Sequence, residues 1–152
     1  MTFKEYVKTL TKELGSEIEI EGDACAFSIA SKDGDTIEIL LQGFDARGAI
    51  LICADLGDPP PEGRERLFQI LLEGNDLFGD TGGATLSLDR RTGHIRLQRC
   101  NDMDVLARMG VSKVLIAFAD TAAAWKQLLT DFREVPTKIA VDPSTSFGVM
   151  RV

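Results

Sequence analysis

Between residues 24 and 55 apolar side chains recur at every second position: Cys25/Phe27/Ile29, then Ile37/Ile39/Leu41, then Ile50/Ile52. A period of two places such residues on one face of a pleated strand. Asp33-Gly34, and the run from Asp45 to Gly48, supply turn residues between the three stretches. The pattern therefore predicts a three-stranded antiparallel meander. The apolar face of such a sheet needs cover, so the rest of the chain must supply helices that pack on it.

Helical periodicity appears where that demand requires it. Thr2 followed by Glu5 fits a capping box. Phe3, Tyr6, Val7, Leu10 and Leu14 fall within an arc of about 100° on a helical wheel, and Gly15 follows as a stop. Pro59, Pro60 and Pro61 interrupt the sheet pattern, and Pro61 suits the first turn of a second helix running to about Gly74. Two short strands, Ala84/Leu86/Leu88 and Ile95/Leu97, come next, joined by a hairpin loop that ends at Gly93. A long third helix starts near Ser112, with Val114, Phe118, Trp125, Leu128, Leu129 and Phe132 in an arc of about 100°. The expected fold is α+β: an antiparallel sheet of about five strands with three helices in the order α-β-β-β-α-β-β-α, as one domain over residues 1–134. Residues 135–152, with Pro136 and Pro143, read as a loosely attached tail.

Composition narrows the function classes. The 24 acidic and 17 basic residues give a net charge of −7, which opposes nucleic-acid binding. Three cysteines without C-x-x-C spacing and a single histidine argue for a reducing compartment and against a zinc site. The amino-terminal residues carry charge where a signal peptide needs an apolar run, and uninterrupted apolar runs such as 114–119 are too short to span a membrane. A cytoplasmic protein without membrane insertion is expected.

Candidate chemistry is sparse. Gly79-Asp80-Thr81-Gly82-Gly83 lacks the Gly-Lys-Ser/Thr ending of a phosphate loop and precedes a strand, so it reads as a turn. His94 follows a hairpin glycine at a position expected to be solvated. Cys25 and Cys53 lie in strand patterns as small apolar residues. Acidic pairs such as Asp33/Asp35 fit no calcium-loop spacing. No catalytic residue, cofactor or metal is expected, and the reading is of a non-enzymatic protein.

The surplus lies in apolar surface. In the second helix Leu67, Phe68, Ile70, Leu71 and Leu72 spread over about 200°, roughly twice what one sheet face uses. A homodimer interface built on Leu67, Phe68, Leu71 and Leu72 is expected to cover the excess. The third strand is apolar on both faces, and Leu40 and Phe44 lie opposite the core-facing residues of the second. Leu40, Phe44 and Leu51 are therefore candidate partner contacts, with Phe3, Tyr6 and Val7 lining a groove at the helix edge. For these three helix residues ordinary core packing is the weightier expectation.

Residues 71–99 include Leu71-Leu72 with Asn75, the Thr81-Gly82-Gly83-Ala84 entry into a strand, and the Asp89…Thr92-Gly93 hairpin. In these features, and in element order and acidity over residues 1–134, the chain resembles class I type III secretion chaperones of the Tir-chaperone family. Gly74 stands where that family more usually has alanine. The resemblance implies a cytosolic homodimer that binds the amino-terminal segment of a secreted effector as an extended chain and keeps it soluble and export-competent. The secretion apparatus would be a further contact. Client strands would add to a sheet edge while their side chains fill apolar grooves, and the acidic surface would attract basic clients. A small regulatory or ligand-binding module on the same scaffold is the alternative.

Overall fold

The computed structural model describes residues 1–134, with side chains placed through Phe132. Helix α1 (Phe3–Leu14) leads into strands β1 (Ala24–Ala30), β2 (Thr36–Phe44) and β3 (Ala49–Gly57). Helix α2 (Arg64–Asn75) follows, then β4 (Thr85–Leu88), β5 (Ile95–Asp102), α3 (Met103–Met109) and α4 (Val111–Glu134). The five strands form one antiparallel sheet in the order β1-β2-β3-β5-β4. The predicted fold class and strand succession are present. The expected tail, 135–152, lies outside the described residues.

One boundary and one element differ from expectation. α2 begins at Arg64 and not at Pro61, because Gly63 takes a left-handed conformation (φ 71°) that separates the prolines from the helix. A fourth helix, α3, was not expected. Its seven residues carry too few apolar positions to show a period. It exists because Asp102 caps it, accepting from Val105 N–H at 3.0 Å, and because Met103 and Leu106 are fully buried.

The helices lie on one face. Ile37, Ile39 and Leu41 of β2, Ile50, Ile52 and Ala54 of β3, and Ile95 and Leu97 of β5 are essentially inaccessible beneath α1, α3 and α4. α1 forms as its sequence dictates: the Thr2 hydroxyl accepts from Glu5 N–H, the Glu5 carboxylate accepts from Thr2 N–H at 2.8 Å, and Gly15 closes the helix at φ 68°. Its close seat on the sheet depends on Gly43, where a Cβ would come within 2.5 Å of the Phe3 side chain. Three carboxylates fasten the layers by accepting backbone N–H groups. Asp45 takes Phe3, Glu13 takes Ser112 at the start of α4, and Asp120 takes Lys32 in the β1–β2 turn. The Ser112 hydrogen bond also lowers the Glu13 pKa below the usual carboxylate value.

Candidate functional site

The strand alternation that fills the core leaves a second row of side chains on the opposite face, which none of the helices covers. The register places Ala26, Leu40, Cys53, Gln98 and Thr85 across the five strands in one line. In the next line Gln42, Leu51 and Cys100 are neighbours, and beyond it Phe44 and Ala49 face Asp102. Leu40 and Phe44 keep 39% and 40% of their surfaces exposed, a large apolar exposure for mid-sheet residues.

Near β5 this face hollows into an open groove of about 650 Å³. Phe44, Ala49, Leu51 and Cys100 form its floor, with Phe78, Gly83 and Thr85 along the β4 side and Arg47 and Arg99 also lining it. Phe78 arrives there through an unusual backbone. Leu77 and Phe78 both have positive φ, 54° and 56°, which costs an L-residue about 1–2 kcal/mol each. The turn is held by Thr81, fully buried, and by the Trp125 indole N–H, which donates to the Asp80 carbonyl at 3.0 Å. A second exposed apolar set lies at and beyond the carboxyl end of α2, where Leu72 is 71% and Leu77 83% exposed.

The titratable groups show structural roles. His94 is not freely solvated as expected: its Nδ1 contacts both Asp55 carboxylate oxygens at 2.8 and 3.0 Å, and its Nε2 lies 3.4 Å from Asp58. The hydrogen bond to Asp55 raises its pKa, and the surrounding charges of Asp55, Asp58 and Asp89 act in the same direction. Among the described residues no hydroxyl or thiol hydrogen-bonds to this ring. Burial pushes the Cys25 thiol up to about 11 and raises Cys53 as well, whereas Cys100 is exposed. No group of three His, Cys, Asp or Glu that could hold a metal ion occurs among the described residues. No helix there is long and apolar enough to cross a membrane.

The Tir chaperone protein (CesT) family model matches residues 5–126, most of the chain. The chain belongs to this family. Similar folds occur in a structure of the HopA1-SchA chaperone-effector complex, at 18% identity and TM-score 0.62, covering 88% of this chain and 94% of that one. A chain of the ExsC-ExsE complex matches at 19% identity and TM-score 0.64, covering 85% and 96%. A chain of the heterodimeric ExoU-SpcU complex from the type III secretion system of Pseudomonas aeruginosa matches at 19% and 0.56, covering 84% and 98%. No curated protein sequence matches significantly.

In this Tir-chaperone-family chain the sheet divides the six expected client contacts. Leu40, Phe44 and Leu51 share the uncovered face, and Phe44 and Leu51 meet in the groove. Phe3, Tyr6 and Val7 are on the other side, each at most 1% exposed in the helix–sheet core. The four α2 residues also divide: Leu67 and Leu71 are buried within the protomer, Phe68 is half-buried and Leu72 projects outward. Arg47, Phe78, Arg99 and Cys100 were not anticipated as groove residues. Only Leu77-Phe78 left a trace, two large apolar residues standing in a polar, glycine-rich connection outside any periodic element.

Proposed function

We propose that this protein is a non-enzymatic type III secretion chaperone that holds the amino-terminal segment of a secreted effector as an extended chain on the uncovered face of its sheet. The carrying observation is the apolar set of exposed Leu40 and Phe44 with half-buried Leu51 on a sheet whose other face is closed by helices. An extended segment with alternating apolar residues matches that surface in period and shape. Family membership and likeness to chains from chaperone-effector complexes support the same reading. The protomer acts as a homodimer through α2, with Phe68 and Leu72 in contact across the interface while Leu67 and Leu71 hold the helix to its own sheet.

The test starts from the complex isolated out of the native cytoplasm through a tag on this chain. The partner is identified by mass spectrometry, and its amino-terminal segment is then co-expressed with wild type and variants. Leu40→Gln and Phe44→Gln change residues that are already about 40% exposed, so the melting temperature should hold while capture of the segment is lost. Capture that survives both changes, or a partner bound only through a folded carboxyl-terminal domain, overturns the reading. Light scattering at micromolar concentration should give a dimer that Leu72→Asp dissociates.

A further inference from the structure

The groove between Phe44, Leu51 and Phe78 has a charge opposite to that of the protein around it. The chain carries 24 carboxylates against 17 cationic side chains. Yet the groove lining contains two arginines, Arg47 and Arg99, and no carboxylate. Neither guanidinium has an acidic partner among the described residues, where the ion pairs belong to the Met1 amino group, Arg66, His94 and Arg96. Arg99 borders the groove from β5, but its register partner is the core residue Ile52, and it donates through Nη1 to the Gly82 carbonyl at 3.4 Å while its Nε is buried without a hydrogen-bond partner. In a chain with an excess of acid, the exposed and unpaired Arg47 beside an apolar floor is a surface complementary to carboxylates.

The backbone beside them is also open. Asn75 holds both the N–H and the C=O of Leu86, so those groups point away from β5. Alternation along an antiparallel pair then turns the backbone groups of Thr85 and Ser87 toward their register partners Gln98 and Arg96. Two residues beyond Gln98, Cys100 presents its N–H and C=O in the same direction, but β4 has already ended at Thr85. The far half of β5 is thus unpaired on its β4 side, where Cys100 and Gly83 line the groove.

We propose that this groove takes an extended segment in which apolar side chains alternate with Asp or Glu. The segment adds to β5 at Cys100, its apolar residues seat on Phe44, Leu51 and Phe78, and its carboxylates meet Arg47. This rests on the client-binding reading above and assigns the client's chemistry at one site: a local preference for acid in a protein whose overall charge favours basic partners.

The experiment compares two short fluorescein-labelled peptides on the full chain by fluorescence anisotropy at low salt. In one, leucine and valine alternate with aspartate. In its twin, lysine replaces aspartate. The aspartate peptide should bind about tenfold more tightly, and the advantage should shrink with added salt. Arg47→Glu, a change at an exposed residue, should abolish or reverse the preference. Equal affinities, a preference for lysine, no binding of either peptide, or a preference untouched by Arg47→Glu would each overturn the proposal. If the twins bind equally and Phe44→Gln weakens both, the groove holds apolar segments without reading charge, and only the acidic preference falls. If Phe44→Gln changes neither peptide's binding, the client-binding reading of this face falls with it.

Discussion

The Asn75 carboxamide stands in for a missing strand beside Leu86. Its Oδ1 accepts from Leu86 N–H at 2.7 Å and its Nδ2 donates to Leu86 C=O at 3.0 Å. β4 is an edge strand of four residues, and a side chain from the end of α2 occupies the backbone groups through which another chain would pair. Edge strands left open in this way recruit neighbours. The same two bonds anchor α2 over β4, so that one residue closes an edge and fixes a helix.

Asn75→Ala leaves both Leu86 groups without their partners in a half-buried setting. The expected cost is about 1–3 kcal/mol, measured as a lower midpoint in urea unfolding. Because the β4 edge is freed, the variant should also aggregate faster than a Gln69→Ala control, whose lost contact to Glu73 is exposed on α2.

One residue earlier on α2, Gly74 lies under Trp125. A Cβ at Gly74 would stand 2.5 Å from the indole ring, a distance no packed atom accepts. Gly74→Ala sets a helix-propensity gain of about 1 kcal/mol against overpacking of about 1–3 kcal/mol. The clash should prevail because Trp125 is also held by its bond to the Asp80 carbonyl. Trp125 is the sole tryptophan, so the displacement should appear directly as a shift in intrinsic fluorescence together with a lower melting temperature.

Trp125 and Phe78 illustrate where the sequence was readable. Trp125 belongs to an apolar stripe of period 3.6, and its place in the core followed from spacing alone. The meander was equally legible because Cys25/Phe27/Ile29 and Ile37/Ile39/Leu41 alternate without interruption. Phe78 has no period to belong to: two successive left-handed residues carry it to the outer face, and such a conformation depends on tertiary bonds through Thr81 and Trp125. Arg47 and Arg99 carry no signal in the sequence for a related reason. They come from a turn and a strand 52 positions apart and become neighbours of one groove only through the β2-β3-β5 order. The α1 residues were ambiguous because an amphipathic stripe looks the same whether it meets a core or a client. Only the burial of Phe3, Tyr6 and Val7 separates those cases.

His94 gives the protein a pH response of defined sign. Hydrogen bonding to Asp55 raises its folded-state pKa above the ordinary 6.5. Between 6.5 and that higher value the native state holds a proton that the unfolded chain has lost. The stabilisation is fully present below about pH 6.5 and fades as pH rises through the folded pKa. The sole histidine makes the check direct: its imidazole resonance should titrate above 6.5, and His94→Gln should remove the loss of stability seen across that interval. A midpoint below 6.5 would contradict the paired geometry.

The cysteines should differ sharply in reactivity. Cys25 and Cys53 are 4% and 5% exposed, and burial holds both thiols in the protonated, unreactive form. Cys100 is exposed on the groove floor. At mildly alkaline pH a thiol reagent should therefore label one equivalent per chain rapidly, with the other two reacting only on unfolding. Cys100→Ser should remove the fast phase and leave the melting temperature nearly unchanged. The same phase reports occupancy: any segment lying across Phe44 and Leu51 covers Cys100, the register neighbour of Leu51, so saturation with a bound client segment should slow the labelling at least tenfold. Labelling at an unchanged rate in the complex would place the client elsewhere on the molecule.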